Sequence, residues 1–443
     1  MNDMLSVDES VWQVPRREFF KRLSAAASVP LAVSLVARGL GASPANPAAA
    51  KSSLPANESL WDLVKGQFIL REGLILMNAA NLCPSPVPVM ETVFEYIRDE
   101  DRDASLQNRG KHTELKESSR KKLAQLMGAS PDEIALVRNT SEANNTAVNS
   151  MNLGAGDEVL LWDQNHPTNN VAWKVRATRH GFAVKYVSLD SPPGSVGQII
   201  ETFKKGFTPR TKVLAFSHVS NSTGTALPAK ELCALAHERG AIAHIDGAQT
   251  FGAANVNLHD LGCDSYSGSA HKWFMGPKEA GIFYVKADRV KDYWALIVGS
   301  GWGAGITCEN PGARKFECMG QRNDATLAAV GKAADFHMLI GEARIEARIR
   351  ELATALKRGI AEIPGARLYT PMKPELSLGV VQFDFGSGVD LAKVYTQLYE
   401  KYGVAGAGGG GPNGSIRLCP HIYNSMRDVE KVVAALHSLA KNG

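Results

Sequence analysis

Lys212-Val213-Leu214-Ala215-Phe216-Ser217 and Ala241-Ile242-Ala243-His244-Ile245-Asp246, with a candidate helix at residues 228–239 between them, decide the fold. Each is a short apolar run bounded by polar residues, and the segment joining them is long enough for a crossover helix. The pattern extends outward through strand candidates at 133–138, 158–162 and 184–187 and helix candidates at 142–152, 168–180 and 196–205. Strand-helix alternation at this spacing predicts an α/β architecture, a mostly parallel sheet wrapped by helices on both faces. A long Ala/Glu/Arg-rich helical stretch at 324–363 then leads into strands at 367–369 and 379–385, a helix at 389–402, a strand at 415–419 and a helix at 426–441. This tail reads as a small α+β domain. The expected division is therefore a segment 1–50, a large domain 51–325 with an N-terminal arm, and a C-terminal domain 326–443.

The 443 residues are 44% hydrophobic and 21% charged, with a net charge of +4, which excludes disorder and offers no basic surface for nucleic acid. Six cysteines are scattered, with no C-x-x-C pair and no zinc-type Cys/His spacing, so no metal site is expected. The N-terminus is different in kind. Pro15-Arg16-Arg17-Glu18-Phe19-Phe20-Lys21 precedes an Ala/Leu/Val-rich run at 23–40, interrupted by Pro30, Arg38 and Gly39, and then small residues at 41–50. This layout resembles a twin-arginine (Tat) export signal. It implies passage through the Tat translocon already folded, cleavage near residues 45–50, residence in the periplasm, and no stable membrane insertion afterwards.

The strongest chemical signal is the pair His244-Ile245-Asp246-Gly247-Ala248-Gln249 and Ser269-Ala270-His271-Lys272-Trp273. In combination these motifs resemble the class V aminotransferase family of pyridoxal-phosphate (PLP) enzymes, which includes cysteine desulfurases and isopenicillin N epimerase. The resemblance runs over about residues 76–424. It implies the fold-type I PLP-dependent transferase fold, with a seven-stranded sheet sandwiched by helices, and a homodimer.

By that resemblance, Lys272 joins covalently to the cofactor aldehyde and later carries protons. Asp246, at a strand end where α/β sheets place ligand contacts, pairs with the pyridine nitrogen. Gln249 is expected at the phenolic oxygen with Asn221 beside it, and His166 is expected to lie flat on the ring. Ser269 and His271 face one side of an extended chain and Lys272 the other, phosphate and covalent link respectively. Thr140, Ser141 and Glu142 open a helix whose free amides favour the phosphate. Arg417 matches the arginine that grips a substrate carboxylate with its forked guanidinium. Gln321 stands where many relatives place a threonine that reaches the neighbouring subunit's phosphate.

One departure bears on the reaction. Desulfurases of the family use a loop cysteine shortly before the carboxylate-binding arginine, and residues 404–415 contain none. Cys419 follows Arg417 and reads as a core residue. The glycine-rich run 406–414 in that place reads as a roomy entrance, compatible with a substrate larger than a free amino acid. The expectation is chemistry at the α-amino carbon of an amino acid or peptide-borne glutamyl group. Among exported relatives the chain looks most like the periplasmic PLP enzymes that tailor the glutamyl group of pyoverdine siderophores, by transamination or oxidative modification. An epimerase or C–S lyase of the isopenicillin N epimerase type, and a PLP-binding protein without turnover, remain as alternatives.

Overall fold

The structure, a computed structural model, describes residues 58–307, 311–386, 389–409 and 414–442. The expected export segment 1–50 lies outside these, as does part of the glycine-rich run.

A two-residue strand β1 (Ile75–Leu76) precedes the large sheet, built from β2 (Ile134–Val137), β3 (Glu158–Trp162), β4 (Ala183–Val187), β5 (Thr211–Ser217), β6 (Ile242–Asp246), β7 (Ser265–Ser269) and β8 (Gly281–Val285). Its order is β2-β8-β7-β6-β5-β3-β4. Only β8 runs against its neighbours, and every other pairing is parallel. Successive residues feed opposite faces. Leu160, Trp162, Leu214 and Phe216 pack in one buried cluster, whereas Val159, Leu161, Val213 and Ala215 pack in another. At roughly 1.5–3 kcal/mol for each large apolar side chain buried, this two-sided covering holds the layers together.

Strands β2 to β6 fall on the five runs expected from the sequence. Strand β7 does not look like a strand, because Ser265-Tyr266-Ser267-Gly268-Ser269 has one large apolar residue, yet every position is buried. Its serines survive there because each hydroxyl has a partner: Ser265 with His244, Ser267 with Asn144 and Ser269 with Thr140.

The C-terminal strands are β9 (Arg367–Leu368), β10 (Val381–Asp384), β11 (Val404–Ala405), β12 (Ala407–Gly409) and β13 (Ser415–Leu418). Four of them form an antiparallel sheet in the order β12-β13-β10-β9, while β11 pairs with β1. The helical stretch read as continuous over 324–363 is two helices, Asp324–Ile340 and Glu342–Ala361, broken at Gly341, which adopts φ 95°. The first of them buries Leu327, Val330, Ala333 and Ala334 in the cluster of the large sheet. The expected division after residue 325 thus falls in the first turn of a helix that packs with the large layer, and the chain leaves that layer at Gly341. The N-terminal arm crosses the other way. Met77 donates to Ala405 O, Cys419 donates to Met77 O, and Ala79 donates to Cys419 O, which seats Asn78 beside β13.

Candidate active site

Strands β2, β3, β5, β6 and β7 end at the same edge of the sheet, the edge at which parallel α/β sheets bind ligands. Asp246 closes β6 there and is 2% exposed. Each of its carboxylate oxygens accepts one hydrogen bond. Asn144 Nδ2 donates to Oδ2 at 2.9 Å and the Ala248 amide donates to Oδ1 at 3.0 Å. The following glycine is required, since a Cβ on Gly247 would lie 1.9 Å from Tyr266 Cζ.

Lys272 lies in the turn that follows β7, a turn closed by Met275 N donating to Lys272 O and Gly276 N donating to Ala270 O. Desolvation pulls the Lys272 pKa below its usual value. The Asp246 charge opposes that shift and the Arg417 charge adds to it. A lysine amine held in this state spends more of its time neutral, as a nucleophile toward an aldehyde requires.

His166 caps the helix Pro167–His180, its Nδ1 accepting from the Thr168 amide at 3.2 Å. That bond leaves Nδ1 unprotonated and puts the ring proton of the neutral form on Nε2. Burial lowers the His166 pKa, Lys272 and Arg417 lower it further, and Asp246 opposes them. Lys272 and His166 thus both feel the charges of Asp246 and Arg417, which places four residues far apart in sequence in one site.

The anion end is built from the first turn of helix Thr140–Ser150. Ser269 Oγ accepts from the Thr140 amide at 2.8 Å and pairs with Thr140 Oγ1 at 2.7 Å. Two hydroxyls have two hydrogens, one is used between them, and one is left to donate. Glu142 departs from its expected part as a phosphate donor. Its amide is taken by Asn139 Oδ1, and its carboxylate turns back to accept from the Arg138 amide. An anion there repels phosphate, and Ser141, exposed at the helix start, is the residue of this turn left to donate. His271 is partly buried, and desolvation, followed by Lys272 and Lys278, pushes its pKa down to about 4.

Gln249 is more fully engaged than expected. Its Oε1 accepts from the Trp273 indole at 2.7 Å and its Nε2 donates to Ala80 O at 3.1 Å, so one amide hydrogen remains for a phenolic oxygen. Asn221 acts through its backbone, its carbonyl accepting from Arg417 Nη1 at 2.6 Å. Arg417 Nη2 reaches Asn78 Oδ1 at 3.4 Å, and Arg417 Nε is buried without a partner among the described residues. Gln321 is exposed on the loop before helix Asp324–Ile340, outside this hydrogen-bonded set. Sequence reasoning missed Asn144, His244 and Asn78. His244 could have been found, because residues two apart on a strand share a face and it therefore lies beside Asp246.

These residues fit PLP. Asp246 is a buried acceptor for a ring N–H, Lys272 a desolvated amine, the Thr140/Ser269 pair with Ser141 a donor set for phosphate, and Arg417 Nε a buried donor without a partner among the described residues.

Comparison with known proteins agrees. The family described as Aminotransferase class-V matches residues 76–432. Isopenicillin N epimerase of Streptomyces clavuligerus is 30% identical over 393 residues, covering 86% of this chain and 98% of its own. A probable cysteine desulfurase of Methanothermobacter thermautotrophicus is 26% identical, with 83% and 95% covered. Among solved structures, a C-DES mutant with glycine covalently linked to the PLP cofactor superposes with a TM-score of 0.78 at 21% identity, covering 85% of this chain and 99% of that one, a likeness of fold. The chain belongs to the class V aminotransferase family and is a PLP-dependent enzyme of fold type I.

Proposed function

We propose that the enzyme removes the Cα proton of an amine that also carries a carboxylate, and that its substrate is a peptide-borne or otherwise enlarged amino acid. The observation that carries the reading is the buried Arg417 Nε, without a partner among the described residues, in the same electrostatic neighbourhood as Lys272 and Asp246. Bound PLP supplies the electron-accepting ring that makes such a proton removable. Asp246 would accept the ring nitrogen's N–H. Arg417 fixes the carboxylate and hence the orientation of the Cα–H bond. Lys272 Nζ would accept the Cα proton, and His166 would stand beside the cofactor's ring.

Transamination or oxidative modification of the glutamyl group of a pyoverdine-type siderophore is the specific outcome proposed. Its support is the Arg16-Arg17 leader, which would place the enzyme in the periplasm after Tat export, and the absence of a cysteine from 404–415. Epimerisation or C–S lysis is a second reading, favoured by the nearly full-length likeness to isopenicillin N epimerase. The PLP-loaded protein, incubated with a glutamyl-bearing siderophore precursor and either a 2-oxo acid as amino acceptor or dioxygen as oxidant, is expected to change the precursor's mass. Unchanged mass together with loss of a Cα deuterium and retention of the amine points to the epimerase. Absence of any amine-dependent spectral change overturns both and leaves a silent PLP binder.

A homodimer is proposed as well. Trp294, Leu296, Ile297 and Val298 are exposed apolar residues in sequence next to one another, and Leu296 and Ile297 line a hollow with Ser141, Phe316 and Met319. A second copy seated there would cover the patch beside the anion end. Sedimentation of the pure protein tests this, a monomer at micromolar concentration being the contrary result.

A further inference from the structure

We infer that Asn144 is a positioning residue for the cofactor's ring-nitrogen carboxylate, oriented by a buried chain of donors that starts at Tyr293. The inference rests on the reading of Asp246 as the partner of the ring nitrogen. Asn144 is fully buried in the middle of helix Thr140–Ser150, and its amide has two distinct ends. Nδ2 donates to Asp246 Oδ2 at 2.9 Å. Oδ1 accepts from Ser267 Oγ at 2.5 Å and faces His244 Nε2 at 3.1 Å. Turned over, the amide would set its oxygen against a carboxylate that can only accept, so one orientation satisfies every group.

That orientation fixes the rest. His244 Nε2 must carry the proton, so Nδ1 accepts, from Ser265 Oγ at 2.8 Å. Ser265 in turn receives the Tyr293 hydroxyl at 3.0 Å. The series runs from Tyr293 to Ser265, to His244, to Asn144 and to Asp246, with each member donating to the next. Burial keeps His244 neutral, its pKa pushed down to about 4 against the pull of Asp246, so the direction of the chain holds at neutral pH. With the Ala248 amide on the other oxygen, the Asp246 carboxylate has its plane fixed and one lone pair on each oxygen left over. One helix therefore supplies both the anion-binding first turn and, one turn later, the amide that aims the carboxylate.

The test uses the full chain reconstituted with PLP and reads its visible absorption against pH and its PLP dissociation constant. Asn144→Asp keeps shape and the acceptor for His244 and Ser267. When protonated it still donates to Asp246, and when ionised it repels it; burial and the neighbouring carboxylate both raise its pKa. Expected is wild-type behaviour at low pH and, as pH rises, an absorption midpoint displaced by about one unit and roughly tenfold weaker PLP binding, the size of one lost charge-assisted hydrogen bond. Lys272, His166 and Tyr266 also sense Asp246 and are unaltered, so the difference from wild type reads position 144. His244→Phe reproduces part of the loss, and His244→Gln, which keeps a donor toward Asn144, restores it. An Asn144→Asp protein that binds PLP and titrates like wild type at every pH overturns the inference while Asp246→Asn remains disruptive. If Asp246→Asn is silent too, the reading of Asp246 falls and takes the inference with it.

Discussion

Arg417 on β13 donates Nη1 to the carbonyl of Asn221 at 2.6 Å, and this bond ties the small sheet to the loop that follows β5. With Nη2 leaning on Asn78 and Nε without a partner among the described residues, the guanidinium offers an incoming carboxylate one edge rather than its end. Arg417→Lys keeps the charge and loses the fork. Expected is a rise in KM of roughly 10- to 100-fold for a carboxylate-bearing substrate with a smaller change in kcat. Turnover of the corresponding amide should change little, and equal losses on acid and amide would remove Arg417 from carboxylate recognition.

The thiols give a second prediction. Burial raises the Cys83 pKa to about 12 and also raises that of Cys419, so neither supplies a thiolate near neutral pH. Cys233 and Cys263 are buried as well, and Cys318 is partly accessible. A protein carrying Cys308→Ala and Cys318→Ala should therefore retain its rate, and intact mass after incubation with L-cysteine should show no added sulfur. A stable protein persulfide would contradict a mechanism without a thiol.

The parts of the fold that could be read in advance are those decided by local chemistry. Strands β5 and β6 are apolar because both faces are covered, and the Asp-Gly-Ala-Gln and Ser-x-His-Lys motifs lie at strand ends, where the chemistry is concentrated. Strand β7 was hidden because its serines are buried only by virtue of partners on β6 and on helix Thr140–Ser150, pairings that no local pattern reveals. Glu142 misled for a related reason: a helix N-terminus attracts anions, and here the chain's own carboxylate has taken part of that field by turning to Arg138. Asn78 was out of reach because it meets Arg417 only after the arm has paired with β11.

The glycine after Asp246 permits a sharp test of packing. A methyl group at 247 would meet Tyr266 Cζ at 1.9 Å and Oη at 2.2 Å, and this ring is fully buried with its hydroxyl paired to Thr250 at 2.9 Å. It has no room to retreat. Gly247→Ala should destabilise the protein by about 1–3 kcal/mol, or more if the backbone of Asp246 moves. Adding Tyr266→Leu, which empties the space, should recover part of that loss, so a double-mutant cycle in thermal unfolding should show coupling well above 0.5 kcal/mol. Additive effects would mean that the clash is relieved elsewhere.

Acid should unfold the apo protein earlier than its carboxylates alone would dictate. His218 and His244 are buried with pKa values pushed down to about 4, and His421 to about 3, in each case chiefly by desolvation. Between those values and 6.5 the unfolded chain binds protons that the folded chain refuses, so stability rises with pH across this window and is lost as pH falls below 6.5. Each imidazole with a folded pKa near 4 should cost about 3 kcal/mol by pH 4 relative to neutral pH. Urea unfolding of the apo chain between pH 7 and pH 4.5 should show this slope, and His244→Gln should flatten it by one group's share. A variant with the wild-type slope would mean that His244 accepts a proton at Nδ1 in the folded state, which would turn Ser265 into its acceptor and leave the links from His244 through Asn144 to Asp246 as they are.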